Sequence, residues 1–455
     1  MKEMDLDLES IRDDFERRGI RQVKVAGADI DGVLRAKVIS TEKFYGALEK
    51  GLRFCDVIFG WDIEDALYTH HGVTGAHTGY PDLIAKIDLH TLRTPEETPG
   101  LAHVLIDFHG ENGRPHPACP RNLLRSIVAR AEVDGFLPLF AVEYEFWLFR
   151  ETPHSLREKA FRDLVPLHPG MGGYSAVRIG QSHALYRDIL DTCDAYRIPI
   201  DNIHEETGPG VMEVALRYQP ALDAADSATL FKSILKEIAH RHGLVATFMA
   251  KWNANFSGSS GHLHQSLWDS TGEVNLFHDP KSRDGLSPLG RHYLAGLIAH
   301  APALTAVYSP NPNSYKRYTP GFWAPLTASW GRENRSANVR YIPGDDPLGT
   351  RFEFRQTAAD LNPYLAIAAN LASGLDGIVR ALEPPEPHRG DASAGGPSLP
   401  RSLESALALL MASDATKTLL GAPFIEHYAE TRAHELERAR AHISDWELSR
   451  YFEGV

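Results

Sequence analysis

Three segments of the chain alternate between polar and apolar residues with a period of two. They are Glu143–Phe146 within FAVEYEFWLF, His262–Ser266, and Arg351–Arg355. A β-strand places successive side chains on opposite faces, so each segment is predicted to be a strand with one polar face and one apolar face. A solvated face explains any one of these strands taken alone. The recurrence of the pattern in three segments favours polar faces that meet around a cavity.

Other parts of the chain predict how it is divided. Residues 23–40, VKVAGADIDGVLRAKVIS, read as two short strands around an Asp-Gly turn. This hairpin belongs to an N-terminal module that is predicted to end near GENGRPHPACP, which gives domains of residues 1–113 and 114–455. The Pro- and Gly-rich stretch 383–398 is predicted to be an exposed loop.

Acidic side chains within and between these strands indicate a cation site. Glu143 and Glu145 share one strand face, where they repel each other unless a cation lies between them or one of them takes up a proton. A turn rich in Gly and Pro lies between Glu205 and Glu213 and can fold both toward one point. A donor set made mostly of oxygen suits Mg²⁺ or Mn²⁺ better than zinc. The candidate metal ligands are Glu143, Glu145, Glu205, Glu213, His262 and Glu353.

Among these ligands, His262 has a competing interpretation, because a single histidine is more often structural than metal-binding. Its place after SGSSG, two residues from His264 and four from Ser266, favours the ligand role.

Arginines are concentrated between residues 315 and 355. Like charges repel one another unless an anion or carboxylates lie among them, so this segment is predicted to hold a polyanion. The arginines surround the carboxylate of Glu353 and are Arg317, Arg332, Arg335, Arg340, Arg351 and Arg355.

A series of motifs follows the order and approximate spacing of one enzyme family. They are the E-x-E strand at Glu143, HEE-x-GPG-xx-E around Glu205 to Glu213, SGSSGHLHQS, NSYKRYTPG, NRSANVR, RFEFR and DLNPYL. On these motifs the chain resembles the glutamine synthetase family over nearly its whole length. The resemblance implies an α+β fold with a small N-terminal β-grasp-like domain and a large catalytic domain, in which helices back a curved antiparallel sheet. It also implies a homo-oligomer of stacked rings, such as a dodecamer.

The same resemblance implies a role for each matching residue. Two divalent ions, Mg²⁺ or Mn²⁺, are expected per site, one held by Glu145, Glu205 and Glu213 and the other by Glu143, His262 and Glu353. The other matching residues are expected to contact the glutamate substrate (Gly258, Arg317, Arg355), the transferring phosphoryl group (Arg335, Arg340) and the nucleotide (His264, Ser266, Arg351).

The chemistry implied by the resemblance is ATP-dependent amide formation. The γ-carboxylate of L-glutamate attacks the γ-phosphate of ATP, and an amine then takes the acyl group from the resulting acyl phosphate. Phosphoryl transfer needs mainly positioning and charge neutralisation, which metal ions and arginines supply. The chain has neither a G-x-x-x-x-G-K-[ST] loop nor a G-x-S-x-G elbow.

Three positions depart from the family pattern. Trp323 occupies the position where glutamine synthetases place an acidic residue thought to receive the proton of ammonium. Ser257 replaces an asparagine that helps to hold glutamate, so that contact is in doubt. The usual D-G-S-S is absent around Asp62, which is our candidate for an acidic contact across the subunit interface. Capping of its own loop is the alternative for Asp62.

The tryptophan favours an organic amine over ammonia as the acceptor. An indole neither binds a cation by charge nor accepts a proton, and related enzymes that join glutamate to alkyl or aryl amines also have Trp in this motif. At pH 7 an alkylamine with a pKa near 10.4 must lose a proton at a cost of about 4.6 kcal/mol, whereas aromatic amines are already neutral. Aryl stacking on Trp323 contributes about 0.5–1.5 kcal/mol, while a cation–π contact with an alkylammonium is the alternative. Aryl amines are therefore slightly preferred.

Two further alternatives stay open for the function, and one for Trp323. The alternatives to an amine ligase are an ordinary glutamine synthetase that uses ammonia and a catalytically silent scaffold member of the family. Trp323 itself could instead be a core residue.

Composition narrows the partners and the location. The net charge of −13, with no basic stripe outside the expected site, argues against nucleic acid. Three widely spaced cysteines, Cys55, Cys119 and Cys193, fit a reducing compartment. The acidic N-terminal segment 1–18 is expected to be neither a signal nor a transit peptide, and no apolar run is long enough to span a membrane. A cytoplasmic enzyme without membrane or nucleic-acid partners is expected.

Overall fold

The computed structural model of the chain describes residues 8–69, 72–344 and 346–455. The first part of the acidic N-terminal segment, residues 1–7, lies outside the described residues. The strands are β1 Gln22–Ala28, β2 Leu34–Ser40, β3 Leu52–Cys55, β4 Asp82–Arg93, β5 Leu101–His109, β6 Phe136–Phe149, β7 Ile200–Glu205, β8 Val211–Leu216, β9 Gln219–Pro220, β10 Val245–Thr247, β11 Gly261–Asp269, β12 Trp330–Arg332, β13 Val339–Ile342 and β14 Arg351–Phe354.

Helices connect and cover these strands, and most begin at a residue suited to capping. Ser, Thr or Asn side chains accept a backbone N–H at the start of several of them, as Asn362 does from Tyr364. The helices are α1 Leu8–Arg17, α2 Thr41–Lys50, α3 Pro120–Val133, α4 Pro153–Glu158, α5 Ala176–Gln181, α6 His183–Ala195, α7 Ala221–Arg241, α8 Pro288–His300, α9 Thr305–Tyr308, α10 Pro363–Val379, α11 Leu403–Ala412, α12 Asp414–Leu420, α13 Ala422–Ala441 and α14 Asp445–Tyr451.

The first sheet contains the predicted N-terminal hairpin. Strands β1 and β2 pair antiparallel around the turn at Asp31 and Gly32, as predicted. The strand order is β2-β1-β5-β4-β3, and the central pair β1 and β5 is parallel. Apolar residues of β1 and β5 pack with Phe15 of α1 and Phe44 of α2 in a core of their own.

The second sheet is built mainly from antiparallel pairs and curls into a half-barrel. Its order is β12-β13-β14-β11-β6-β8-β7, with β9 and β10 also paired to β6. Helices α3, α7 and α10 contact β6 on one face of the sheet. All three strands predicted from period-two alternation are present as β6, β11 and β14, and the predicted α+β fold class is confirmed.

The helices behind the second sheet approach one another closely at glycines. Helix α10 is almost wholly buried and packs on α8. A Cβ on Gly296 would overlap the carbonyl oxygen of Ser373, and one on Gly377 would overlap that of His292. Glycine is therefore required where these two backbones cross.

A buried cluster of charges connects the two sheets. The guanidinium of Arg121 in α3 donates to Asp226 in α7, to Asp107 in β5 and to Asp88 in β4, with each N···O distance at 2.8 Å. Arg125 reaches Asp88 and Asp107 from the next turn of α3. The cluster fixes the first sheet to the helices behind the second.

The segment around residue 113 joins these two parts. It forms a turn between β5 and α3, where Gly110 donates its N–H to Arg114. The boundary at residue 113 stays a prediction. The stretch 383–398 is free of helix and strand and is mostly exposed, as predicted. No helix among the described residues is long and apolar enough to cross a membrane.

Candidate active site

Cross-strand pairing in the second sheet brings the predicted site residues together. Glu143 of β6 lies opposite His262 of β11, and Glu353 of β14 lies opposite His264 on the other side of β11. Residues directly opposite each other on neighbouring strands have Cβ atoms about 5 Å apart. Polar residues far apart in sequence therefore share one face of the sheet.

One ligand group lies where β6, β11 and β14 run side by side. The Nδ1 atom of His262 is 3.0 Å from Oε1 of Glu143 and 3.4 Å from Oε1 of Glu353. Ligand atoms of these three residues all lie within 4.8 Å of one another. Three of the predicted metal ligands thus meet at one point.

A second ligand group lies beside the first, where β7 pairs with β8. His204, Glu206 and Glu213 offer atoms within 4.8 Å of one another, and Nε2 of His204 is 3.5 Å from a carboxylate oxygen of each glutamate. Glu145 pairs directly with Glu213 and lines the same cavity. Its Oε2 accepts the N–H of Ser260.

The prediction that Glu205 faces this group is wrong, and Glu206 takes its place. His204 lies opposite Glu213 in the strand pair, so strand alternation turns Glu205 to the far side and returns Glu206 to the cavity. Glu205 is fully buried, with Oε1 2.5 Å from Nδ1 of His168 and Oε2 3.4 Å from Arg178. No local signal distinguishes the two glutamates in the sequence, because the choice depends on the face that His204 takes when β7 pairs with β8.

Charge in this cluster is unevenly distributed. Burial raises the pKa of Glu213, and repulsion from Glu143 and Glu145 raises it further. Burial likewise raises the pKa of Glu145. Burial opposes ionisation of Glu143 too, but hydrogen bonds with His262 and His264 lower its pKa well below the usual range. The protein itself therefore supplies too little positive charge to offset the burial of Glu213 and Glu145.

Arginines approach the carboxylates from β13, β14 and the loop after α9. The side chain of Arg340 bridges Glu353 at 3.1 Å and Glu333 at 2.9 Å. Arg355 contacts Glu353, and both are buried. Burial opposes ionisation of Glu353, but Arg355, His262 and His264 together outweigh it and lower the pKa of Glu353 to about 2.

Arg317 is fully buried and organises the neighbouring backbone. Its guanidinium donates to the carbonyl oxygens of Gln356 and Arg355 and to Oγ of Ser260. A Cβ on Gly258 would overlap the side chain of Arg317. Gly258 is therefore needed for Arg317 to reach this position.

These groups surround a cavity of about 480 Å³. Trp323 lies at this cavity with its indole 68% exposed, so the alternative of a core tryptophan does not hold. Met171 and Tyr174 also line the cavity and are exposed. Ser257 lines it as well, and its Oγ donates to the carbonyl oxygen of Thr207 at 3.3 Å. Met171 and Tyr174 belong to the Gly-rich stretch HPGMGGYS, which lies between the metal-ligand segments of the sequence and was for that reason a candidate border of the cavity.

The predicted nucleotide contacts lie in a different cavity of about 270 Å³. His264, Ser266 and Arg351 all line it, and Nε of Arg351 donates to Nδ1 of His264 at 3.3 Å. Glu143 borders both cavities. The first ligand group therefore lies at their junction, while the role of these three residues stays a prediction.

Arg335 and Asp62 complete the predicted set. Arg335 is exposed and lines the 480 Å³ cavity. Asp62 is buried, and its Oδ1 accepts the N–H groups of Glu64 and Ala66, while Oδ2 lies 3.4 Å from His434 and from Arg438. The N–H groups that Asp62 accepts from Glu64 and Ala66 fit the loop-capping alternative, and a contact across a subunit interface stays a prediction.

Comparisons with known proteins agree with this geometry. A family model described as glutamine synthetase, catalytic domain matches residues 117–451. "Type-1 glutamine synthetase 2" of Dictyostelium discoideum is 40% identical, over 95% of this chain and 83% of that protein. "Glutamate--isopropylamine ligase" of a Pseudomonas species is 37% identical, over 97% of each chain. A solved structure described as a GmaS/ADP complex matches with a TM-score of 0.85 and 30% identity, over 98% of this chain and 99% of that one.

Proposed function

The chain belongs to the glutamine synthetase family, and on that premise we propose that it joins the γ-carboxylate of L-glutamate to an organic amine. ATP is the co-substrate and γ-glutamyl phosphate the intermediate. The main observation in favour of an organic amine is that Trp323 is exposed at the cavity that the glutamates and arginines line. The similarity to the glutamate–isopropylamine ligase supports the same class of acceptor.

The residues of the cavity fit divalent metal ions. Carboxylates that share a buried site repel one another, which is why burial and its acidic neighbours raise the pKa of Glu213. Most donors are oxygens, which suits Mg²⁺ or Mn²⁺. When bound, such ions supply charge neutralisation for phosphoryl transfer. We propose one ion held by Glu143, His262 and Glu353 and another by Glu145, Glu206 and Glu213.

The arginines supply the positive charge that the reaction needs from the protein. We propose that Arg317 and Arg355 orient the glutamate substrate, with Gly258 leaving the space that Arg317 requires. Arg340, held between Glu333 and Glu353, and Arg335 neutralise the phosphoryl group as it passes to the γ-carboxylate. Placed donors of this kind stabilise developing charge without reorganisation during the reaction.

The amine enters beside Trp323, and its nitrogen attacks the acyl carbon of γ-glutamyl phosphate. The C–N bond forms, the C–O bond to phosphate breaks, and the proton lost from the amine nitrogen leaves with the phosphate. An aryl amine is slightly preferred, because it arrives neutral and can stack on the indole. The indole of Trp323 presents an open apolar surface at the cavity. A large apolar substituent on the amine therefore suits the cavity better than ammonium does.

Ammonia is the second candidate acceptor, favoured by the 40% identity to a protein named as a glutamine synthetase. A silent scaffold is disfavoured, because two ligand groups and the surrounding arginines are assembled around one cavity. Assembly into stacked rings remains part of the proposal.

The test measures Mg²⁺-dependent phosphate release from ATP and glutamate. Ammonia, ethylamine, isopropylamine and aniline are supplied in parallel, and the amide products are identified by mass. We expect strong turnover with an organic amine and little with ammonia. Preferential turnover of ammonia would make the protein a glutamine synthetase and contradict the role given to Trp323.

A further inference from the structure

The loop of residues 168–175 forms part of the cavity wall and is held by a buried cluster of charged residues. It carries Met171 and Tyr174, which are 59% and 72% exposed and line the cavity together with Trp323. The ring of Tyr174 stacks on His204, with the centroids 4.4 Å apart and the planes within 8°. The position of this loop therefore sets the apolar surface beside Trp323.

Arg178 of α5 binds the backbone of this loop. Its Nη2 atom donates to the carbonyl oxygens of Pro169, Gly170 and Met171 at 2.8, 3.2 and 3.0 Å. A Cβ on Gly172 would overlap the guanidinium, so the chain comes close to Arg178 only because residue 172 is glycine. One side chain thus fixes three successive peptide groups.

Glu205 holds Arg178 in place. Its carboxylate is fully buried at the end of β7, 3.4 Å from Nη1 of Arg178 and 2.5 Å from Nδ1 of His168. His168 is the first residue of the loop, and its Nε2 lies 3.1 Å from Oγ of Ser182. Because Glu205 contacts both Arg178 and His168, it ties the start and the middle of the loop to the sheet.

The far end of the loop is tied to the same residue. The N–H of Tyr174 donates to the carbonyl oxygen of Glu205 at 2.8 Å. Tyr174 adopts φ of 57°, a left-handed conformation that is strained for a non-glycine residue and that surrounding contacts must hold. The side chain and the backbone of Glu205 together define where the Tyr174 ring lies.

We propose that Glu205 is a positioning residue for amine selectivity, which acts through Arg178 and His168 to place Met171 and Tyr174 beside the amine's apolar substituent. Glu205 is fully buried and lines neither of the two cavities that are proposed to hold the substrates. This inference rests on the proposed function, because it names the wall that recognises the acceptor. Without the carboxylate charge of Glu205, the loop of residues 168–175 is no longer held in place. An amine with a large substituent then loses its contacts with Met171 and Tyr174, whereas a small nucleophile makes no such contacts.

The experiment compares two nucleophiles in wild type and Glu205→Gln. One is the best organic amine, and the other is hydroxylamine, which has no apolar substituent. We expect KM for the organic amine to rise about tenfold in Glu205→Gln, while kcat and KM for glutamate, ATP and hydroxylamine stay within about twofold. Equal losses with both nucleophiles, or no change with either, would overturn the positioning role.

Arg178→Gln should reproduce the effect, and the double variant should be no worse than either single one, because both changes break the same contact. Additive losses would contradict a shared mechanism. The matched control is Arg241→Gln, which removes an arginine from an ion pair with Asp188 at 2.9 Å that has no link to the loop. Arg241→Gln should leave kcat and the KM values for both nucleophiles, glutamate and ATP unchanged.

Hydrogen exchange separates failure of this inference from failure of the proposed function. If wild type couples no organic amine, the kinetic comparison has no substrate, yet the amides of residues 168–175 should still exchange at least tenfold faster in Glu205→Gln than in wild type and Arg241→Gln. Unchanged exchange would overturn the role of Glu205 whichever acceptor the enzyme uses.

Discussion

Trp323 shows how much a single residue decides in this protein. Its backbone has φ of 59°, in the left-handed region that bulky residues rarely adopt. Its indole is 68% exposed at the cavity wall rather than packed in the core. Strained backbone of this kind is concentrated at ligand-binding sites, which supports the proposed place of Trp323 beside the amine.

Replacement of this side chain should change the acceptor. In Trp323→Glu we expect turnover of organic amine to fall at least tenfold and turnover of ammonia to rise, because a carboxylate attracts ammonium and can accept its proton. Competition between the two acceptors, with both amides quantified by mass, measures the shift. Trp323→Phe is the control, since it keeps an aromatic surface and should keep the organic amine. Unchanged selectivity in Trp323→Glu would place the determinant elsewhere.

Glu205 and Glu206, neighbours at the end of β7, have different surroundings. Glu206 faces His204 and Glu213 in the cavity, whereas Glu205 is buried against His168 and Arg178. The two residues therefore offer a matched pair for testing metal binding.

We predict that Glu206→Gln raises the Mg²⁺ concentration needed for half-maximal activity by at least about 100-fold. Loss of a residue that only orients a metal ligand weakens metal binding by about 10–100-fold, and loss of a ligand itself should weaken it more. Titration of activity with Mg²⁺ at saturating substrates measures it. In Glu205→Gln the Mg²⁺ requirement should stay as in wild type. The reverse result would restore Glu205 as the ligand.

Among the elements, α8 and α10 depend on glycine where they cross. The helices place Gly296 and Gly377 so close to the opposite backbone that a Cβ cannot fit without movement. This spacing lets α10 lie flat behind the sheet that carries the site.

We therefore expect Gly296→Ala to lower the free energy of unfolding by about 1–3 kcal/mol through overpacking. The midpoint of urea unfolding, followed by circular dichroism, measures the change. Gly46→Ala in α2 is the matched control, since a Cβ at that position would have nothing within 4 Å of it, and alanine there should stabilise the helix by about 0.5–1 kcal/mol. Equal midpoints for the two variants would show that α8 can shift without cost.

In the whole molecule, the two sheets are joined through a small number of buried charges. Arg121 contacts Asp88, Asp107 and Asp226, and so links β4 and β5 to α3 and α7. Burial opposes ionisation of Asp88, but the charge of Arg121 and hydrogen bonds from Arg121 and Arg125 lower its pKa below the usual value.

Stability should therefore depend on pH through Asp88. Because its pKa is lower in the folded state, its contribution is complete above the unfolded value of about 3.9 and is lost as pH falls through the folded value. We expect Asp88→Asn to cost about 1.5–3 kcal/mol at pH 7 and progressively less below about pH 4. Urea unfolding at pH 7 and pH 3 measures both values. Glu404→Gln, in an exposed pair with Arg440, should change little at either pH.

The sequence by itself determined which groups the site contains. Period-two alternation identified β6, β11 and β14, because strand geometry fixes which side chains share a face, and it placed Glu143, His262 and Glu353 on polar faces. Family motifs then gave the order of the elements and the α+β class. The hairpin around Asp31 and Gly32 followed from the turn residues alone.

Only the tertiary structure decided how those groups face one another. In HEE, the choice between Glu205 and Glu206 depends on the register of β7 against β8, and register is set by pairing between strands rather than by local sequence. The contact of Asp62 with His434 and the contacts of Glu205 with His168 and Arg178 join segments that are far apart in the sequence. Such contacts form only after the chain has packed, because burial and pairing act on residues that the sequence leaves far apart.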